Sequence, residues 1–455
     1  MRFWAQCENC GIKSIILIEA LPDSTCQLLN AMMYCHIALT CAFFRFMKIL
    51  KLLCLAITML VMAFGLSSCK KDFLKRSIWV KTGLPVEDVR NSFAVEPPRE
   101  ITHPAGVYRS GNLLFLLEQG EGIGITDISD RENPVPKCFI KLLANSHAVV
   151  KYDHLIADNG VDLVSIDISD LSNISLVKRV TNVFKEKWLE QDKTIFTGYE
   201  EKKISTFKSY NPSDTIPPAG RTTESTAAIA IGKGGSETRF AVQGDFLYIA
   251  RGNALTPVDL YDPSDPIVHE EVGYRDENTF ETVFAYQGYL YIGTSDGVLI
   301  LNSAKSPITP YFESFASRNV RGCDPVVVQN NFMFSTIRTG TVCNRFGNSA
   351  LFIHDVSNKT IPFGIYTENV ESPRGLGIDG NLLFLCQADK GLAVYNWNEA
   401  TKKLTYRYQK PEIYAFDVIT GSNTLIVAAD NGLYLYDYTD PNNIRKLSRV
   451  ARYEN

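Results

Sequence analysis

The sequence predicts an all-β chain folded as a seven-bladed β-propeller of four-stranded antiparallel blades, and three observations lead there. First, an apolar strand, a short turn, an alternating strand and an Asp-rich turn recur as a unit along residues 101–455. Equivalent strands start at Leu113, His154, Phe246, Tyr289, Phe332, Leu382 and Thr424, in steps of 41, 92, 43, 43, 50 and 42 residues. A period of about forty is the length of one four-stranded blade. Second, these units carry Val, Ile, Leu, Tyr and Phe in short runs and lack a sustained helical period, which suits strands packed on both faces. Third, the turns fall where a meander must reverse. Asn159-Gly160, Asp296-Gly297 and Asn431-Gly432 are expected to supply positive φ between second and third strands. The segments 127–130, 167–170, 259–263 and 437–441 place short carboxylates at the end of each third strand, where they accept local backbone hydrogen bonds. Calcium is the alternative for these acidic turns, but one or two carboxylates per loop fall short of its six to eight oxygens.

Taken in order, residues 1–46 hold five cysteines, including a Cys7-x-x-Cys10 pair with no second pair to complete a zinc site. From Met47 to Lys51 the chain is basic, from Leu52 to Gly65 almost unbroken apolar, and Leu66-Ser67-Ser68-Cys69 follows. This is the order of an export signal, and its apolar run is shorter than the roughly 20 residues that span a bilayer. The tetrapeptide resembles the lipobox of bacterial lipoprotein precursors. That resemblance implies acylation of Cys69, a true start at Met47, a signal peptide over 47–68, and an extension 1–46 that is spurious or removed. A plain membrane anchor over residues 30–66 is the alternative. Residues 69–100 are read as anchor linker and lead-in.

The propeller is expected over 101–455, closed into a ring because closure removes exposed sheet edges. First strands are predicted at 146–151, 239–243, 281–286, 324–329, 375–379 and 416–420. Residues 181–235 interrupt the period and are read as an inserted hairpin and loop, with an eighth blade as the minor alternative. The repeats, above all Leu163-Val164-Ser165-Ile166-Asp167-Ile168-Ser169-Asp170, resemble the LVIVD repeat, and the whole of 78–450 resembles bacterial LVIVD-repeat β-propeller lipoproteins. That family implies a fold and an address more than an activity. The chain departs from the repeat at 302–307 and 396–398, where the Asp turn has decayed.

Forty-six basic and fifty acidic residues give a net charge of −4, the wrong sign for a protein that grips phosphate backbones, so no nucleic acid is expected. No GxxxxGK[ST] or HExxH occurs, and no cofactor or metal is implied. Ligands of propellers gather at the channel mouth, where the innermost strands begin. Counting back from the strand onsets places His147, Arg239, Glu281, Asp324, Arg374 and Asp417 there. They form either a polar pocket with carboxylates as acid or base and arginines as anion clamps, or a wall of mutually paired charges. Cys323 and Cys343 fall in one blade and are a candidate disulfide, whereas Cys138 and Cys386 sit in apolar strands as buried thiols. Tyr248, Tyr291, Phe384 and Tyr436 are read as packing between blades. The resulting expectation is a lipid-anchored module outside the cytoplasm, on the bacterial envelope and facing the periplasm or surface. It would bind or scaffold an envelope protein or glycan, and a glycan hydrolase or lyase using the mouth carboxylates is the rival.

Overall fold

The structure, a computed structural model, describes residues 76–102, 104–204, 230–231, 238–274, 279–317, 325–338 and 348–452. Cys69, Cys323, Asp324 and Cys343 therefore lie outside the described residues. Two compact units divide the chain: residues 1–78 with 201–211, and residues 79–200 with 212–455. All the sheets considered below as blades belong to the second unit.

Seven antiparallel sheets follow one another at 104–141, 148–180, 240–273, 280–317, 326–369, 376–410 and 415–452, numbered here as blades one to seven. In each, the strands pair in sequence order. Blade one gains Ala94–Glu96 antiparallel to its outermost strand and Ala230–Ile231 parallel to its innermost. Blade three has its fourth strand split into Ile267–Val268 and Val272–Gly273. The segment 69–100, read as a lead-in, carries a strand (Arg76–Pro85) and a helical turn (Val86–Arg90). That strand forms a three-stranded sheet with Trp188–Glu190 and Thr194–Ile204 of the interruption.

Burial explains why the central strands are continuous apolar runs. Leu155–Asn159, Leu163–Ile166 and Leu425–Ala429 are buried throughout, because both faces of a blade are covered by its neighbours. Fourth strands sit on the rim and alternate with solvent, as Phe363–Asn369 does. The core is thus a chain of clusters between adjacent blades. Trp397 of blade six packs edge-on against Phe332 and Phe334 of blade five at 5.0 and 5.5 Å. The same kind of cluster joins blade seven to blade one through Ile426, Leu433 and Leu435 against Val107, Leu114 and Leu116, which closes the ring. Tyr248, Tyr291, Phe384 and Tyr436 are all fully buried in these clusters, and Cys138 and Cys386 are buried as well.

The Asp turns behave as their chemistry demands. Asp127 Oδ1 accepts from the Ser129 amide and hydroxyl at 2.8 and 2.6 Å, and Asp170 does the same with Ser172 at 2.8 and 2.6 Å. Where the motif has decayed, asparagine takes over: Asn302 accepts from the Lys305 amide at 2.8 Å and Asn398 from the Thr401 amide at 2.9 Å. The fifth residue of the turn then offers its carbonyl to the preceding blade. Ser165 donates to Pro263 at 2.5 Å, Ser314 to Lys359 at 2.6 Å, Arg407 to Pro441 at 3.3 Å and Ser448 to Arg131 at 2.7 Å. The last of these crosses from blade seven to blade one with the geometry of the others.

One glycine expectation is corrected. Gly160 does have φ +64°, but Gly297 has no positive φ. A Cβ there would stand 2.3 Å from the Ala316 carbonyl of the neighbouring fourth strand. Close approach of two backbones, and not turn geometry, requires glycine at that position.

Candidate functional site at the channel mouth

The innermost strands enclose a central channel of about 660 Å³ reached by all seven blades. Its wall mixes aliphatic side chains, with Val149, Val242, Val283, Val327, Ile378 and Ile419 contributed by six of them, and polar groups such as Arg109, Gln329 and Thr420. At the end where first strands turn into second strands, side chains tie neighbouring turns together. Arg109 donates to the Gly421 carbonyl at 3.0 Å, Lys151 to the Gly244 carbonyl at 2.7 Å, and Gln329 to the Gly380 carbonyl at 2.8 Å. The opposite end, where first strands begin, is the mouth at which the candidate residues were placed.

His147 is only partly exposed and stacks on Phe240 of the next blade, centroids 5.1 Å apart. Its Nδ1 lies 3.8 Å from the carboxylate of Asp158, a residue with no exposed side-chain surface. Asp158 also accepts from the amides of Ser146 and His147 at 2.8 and 2.7 Å, from Asn145 Nδ2 at 2.9 Å, and from Lys187. Burial opposes the charge of Asp158, but Lys187 and His147 outweigh it, and the carboxyl titrates well below the ordinary aspartate range. Lys187 comes from the short helical turn Lys185–Lys187 of the interruption, so an inserted segment supplies the counter-ion of a blade.

The next hairpin residue of that blade, Asp162, is equally buried and is clasped by Arg90 Nε at 2.9 Å and Arg179 Nη1 at 3.1 Å. Val86 and Val89, beside Arg90, pack with Val161 and Ile195 in a small separate core. The lead-in and the interruption therefore seat on the mouth end of blade two through one apolar contact and two buried carboxylates. Arg251 of blade three extends this seat, reaching the Val183 carbonyl at 2.7 Å and Glu186 at 2.9 Å.

Of the remaining candidates, Arg239 is exposed at the start of blade three and Glu281 is half-buried in the first strand of blade four. Arg374 lies with its guanidinium 5.6 Å from the Phe416 ring. Asp417 is fully buried and accepts from the Val418 amide at 2.8 Å. A Cβ on Gly375 would stand 1.9 Å from its Oδ1, so the absent side chain at 375 makes the space for this carboxylate. The structure thus brings Arg374 and Asp417 together around Gly375 and Phe416, and His147 next to the blade that carries Arg239. Asp158 and Lys187 were missed as charged partners of His147. The available signal was a lone aspartate closing an otherwise apolar second strand, Leu155-Ile156-Ala157-Asp158.

The carboxyls of Asp127, Asp130, Asp158, Asp167, Asp170, Asp262, Asp355 and Asp437 are all moved downward. A general acid working near neutral pH needs the opposite shift. Among the described residues no three His, Cys, Asp or Glu side chains converge as metal ligands would, and no helix is long and apolar enough to cross a membrane.

The family model of the LVIVD repeat matches residues 154–182 and 234–273, which are most of blade two and blade three with the segment just before it. No curated protein matches the sequence. Among solved structures, the periplasmic gluconolactonase PpgL of Pseudomonas aeruginosa is similar over 79 % of this chain and 96 % of its own, with 10 % identity and a TM-score of 0.51. BamB of Moraxella catarrhalis is similar over 79 % of this chain and 97 % of its own, with 8 % identity and a TM-score of 0.45. At such identities the likeness concerns the fold alone.

Proposed function

Starting from a β-propeller that carries LVIVD repeats, we propose that this chain is a lipid-anchored binding or scaffolding module outside the cytoplasm, on the bacterial envelope. One observation carries the binding role over catalysis: the mouth charges that the geometry resolves are committed to the fold. Asp158 is held by Lys187, His147 and two backbone amides, and Asp417 is sealed against Gly375. A carboxylate kept ionised by a neighbouring ammonium stabilises structure and has no proton to donate near neutral pH. The address rests on the signal-like segment 47–68 and the lipobox-like Leu66-Ser67-Ser68-Cys69.

Two measurements on the full chain test the reading. Expressed in a bacterial host, the chain should float with membranes, and Cys69→Ala should release it or leave the precursor uncleaved. Indifference of fractionation and processing to that substitution overturns the anchor. The purified protein should bind envelope glycan or protein without turnover. Hydrolysis of a glycan or lactone panel that is abolished by Glu281→Gln would replace the binding role with the enzymatic one.

A further inference from the structure

All seven turns between third and fourth strands lie among the described residues, and in a four-stranded meander they share the end opposite the mouth. Each third strand ends on an Asp or Asn: Asp127, Asp167, Asp259, Asn302, Asp355, Asn398 and Asp437. The six residues from that position onward carry a net −2 in blades one, two, three and seven, but +1, 0 and +1 in blades four, five and six. Ring closure makes each set contiguous, so one half of this face is acidic and the other is not. On the acidic half, Asp130, Asp167, Asp170, Asp262 and Asp440 accept hydrogen bonds only from neutral donors of their own turns.

Exposed apolar side chains lie on both halves: Val135, Tyr261 and Ile267 are 50 %, 80 % and 57 % exposed on the acidic one. Ile308, Tyr311, Phe312, Ile361, Phe363 and Tyr406 are 46 %, 51 %, 46 %, 67 %, 50 % and 52 % exposed on the other. Lys305 lies 3.5 Å over the Tyr311 ring, and Lys402 reaches across from blade six to the Phe363 ring at 5.5 Å. On this half Asp355 is paired with Lys402 at 2.7 Å, whereas Glu313 and Glu399 accept from the neutral amides of Asn302 at 2.9 Å and Asn330 at 2.6 Å. Lys305 and Lys403 have no carboxylate partner among the described residues.

We propose that this face docks on the same face of a second copy of the chain, forming a two-fold dimer. A two-fold axis along the line that divides the halves sets each basic half against the partner's acidic half, and the contact is self-complementary. Charge selects this occupant. A flat anionic bilayer would meet the acidic half as well and be repelled by it, whereas a second copy satisfies both halves at once. Exposed tyrosine and phenylalanine supply the apolar area, and the unpaired lysines and aspartates set the register. The mouth of each propeller then faces outward.

The test uses the full chain in detergent, with two differently tagged copies co-expressed. A photo-crosslinking amino acid in place of Phe312 should join the two tags. Lys305→Glu with Lys403→Glu should weaken self-association by more than about tenfold through like-charge contact. Asp170→Lys with Asp262→Lys should do the same. Mixing the two double variants should restore a heterodimer that neither forms alone, which also shows that both remain folded. A monomer at micromolar concentration by light scattering overturns the proposal. So does crosslinking from position 312 to lipid or to another protein, or self-association that ignores the charge reversals.

Discussion

Asp158 is the penultimate residue of a second strand in blade two, and Asp127 closes a third strand in blade one. Both carboxyls titrate below an ordinary aspartate, for different reasons. Asp127 is brought down to about 2 by the hydroxyl and amide of Ser129, with Lys137 3.2 Å away contributing less. Asp158 has lost all contact with water, and burial works against its charge. Only the Lys187 ammonium, His147 and neighbouring amides reverse that effect. The difference teaches that the strand-turn end uses carboxylates as local turn formers, each accepting from the amide two residues on, with Lys402 added at Asp355. The mouth end of blade two uses them as sockets into which distant chain segments fit.

Removing the partners should separate these two roles. The largest effect is expected for Lys187→Met, which leaves the Asp158 charge buried and underpaired and should cost about 3 kcal/mol in urea unfolding. Lys137→Met beside Asp127 should leave the unfolding curve nearly unchanged, as exposed pairs do. Equal losses would erase the distinction. Next, Gly375→Ala sets a methyl group 1.9 Å from Asp417 Oδ1, and overpacking of this kind costs about 1–3 kcal/mol. Asp417→Ala in the same background should recover part of that loss, and no recovery would deny the steric cause.

The pH dependence follows from the direction of the shifts. A carboxyl whose folded pKa lies below the unfolded 3.8 stabilises the fold fully above that value, and the contribution fades as pH falls below it through the folded pKa. Asp158→Asn should therefore flatten the acid limb of the stability curve below about pH 4, and an unchanged limb would show that the buried network does not titrate with unfolding. The smallest effect belongs to Ser129→Ala. It should raise the Asp127 pKa from about 2 toward the ordinary value, read by carbon-detected NMR titration, with little change in unfolding.

Much of the fold was legible in the sequence because it is written locally. Third strands end on Asp or Asn at the same register in all seven sheets, and the decayed turns kept the chemistry through Asn302 and Asn398. The mouth was legible only in outline. His147 and Asp417 were found by counting, but nothing in their own blades announces that Lys187 answers Asp158 from the interruption 29 residues further on, or that Arg90 precedes the ring and clasps Asp162. Gly297 was misassigned for the same reason. A turn needs only its own residues, whereas the Ala316 carbonyl that forbids a Cβ there belongs to another strand.

Periodicity, apolar runs and turn chemistry by themselves determined that this protein is a ring of like blades. Each such signal reflects backbone needs met within about forty residues. Which charges lie exposed on the ring and which are consumed inside it was decided by tertiary structure alone. The energy of a carboxylate depends on whether water or a cation surrounds it, and at Asp158 that cation arrives from outside the repeat.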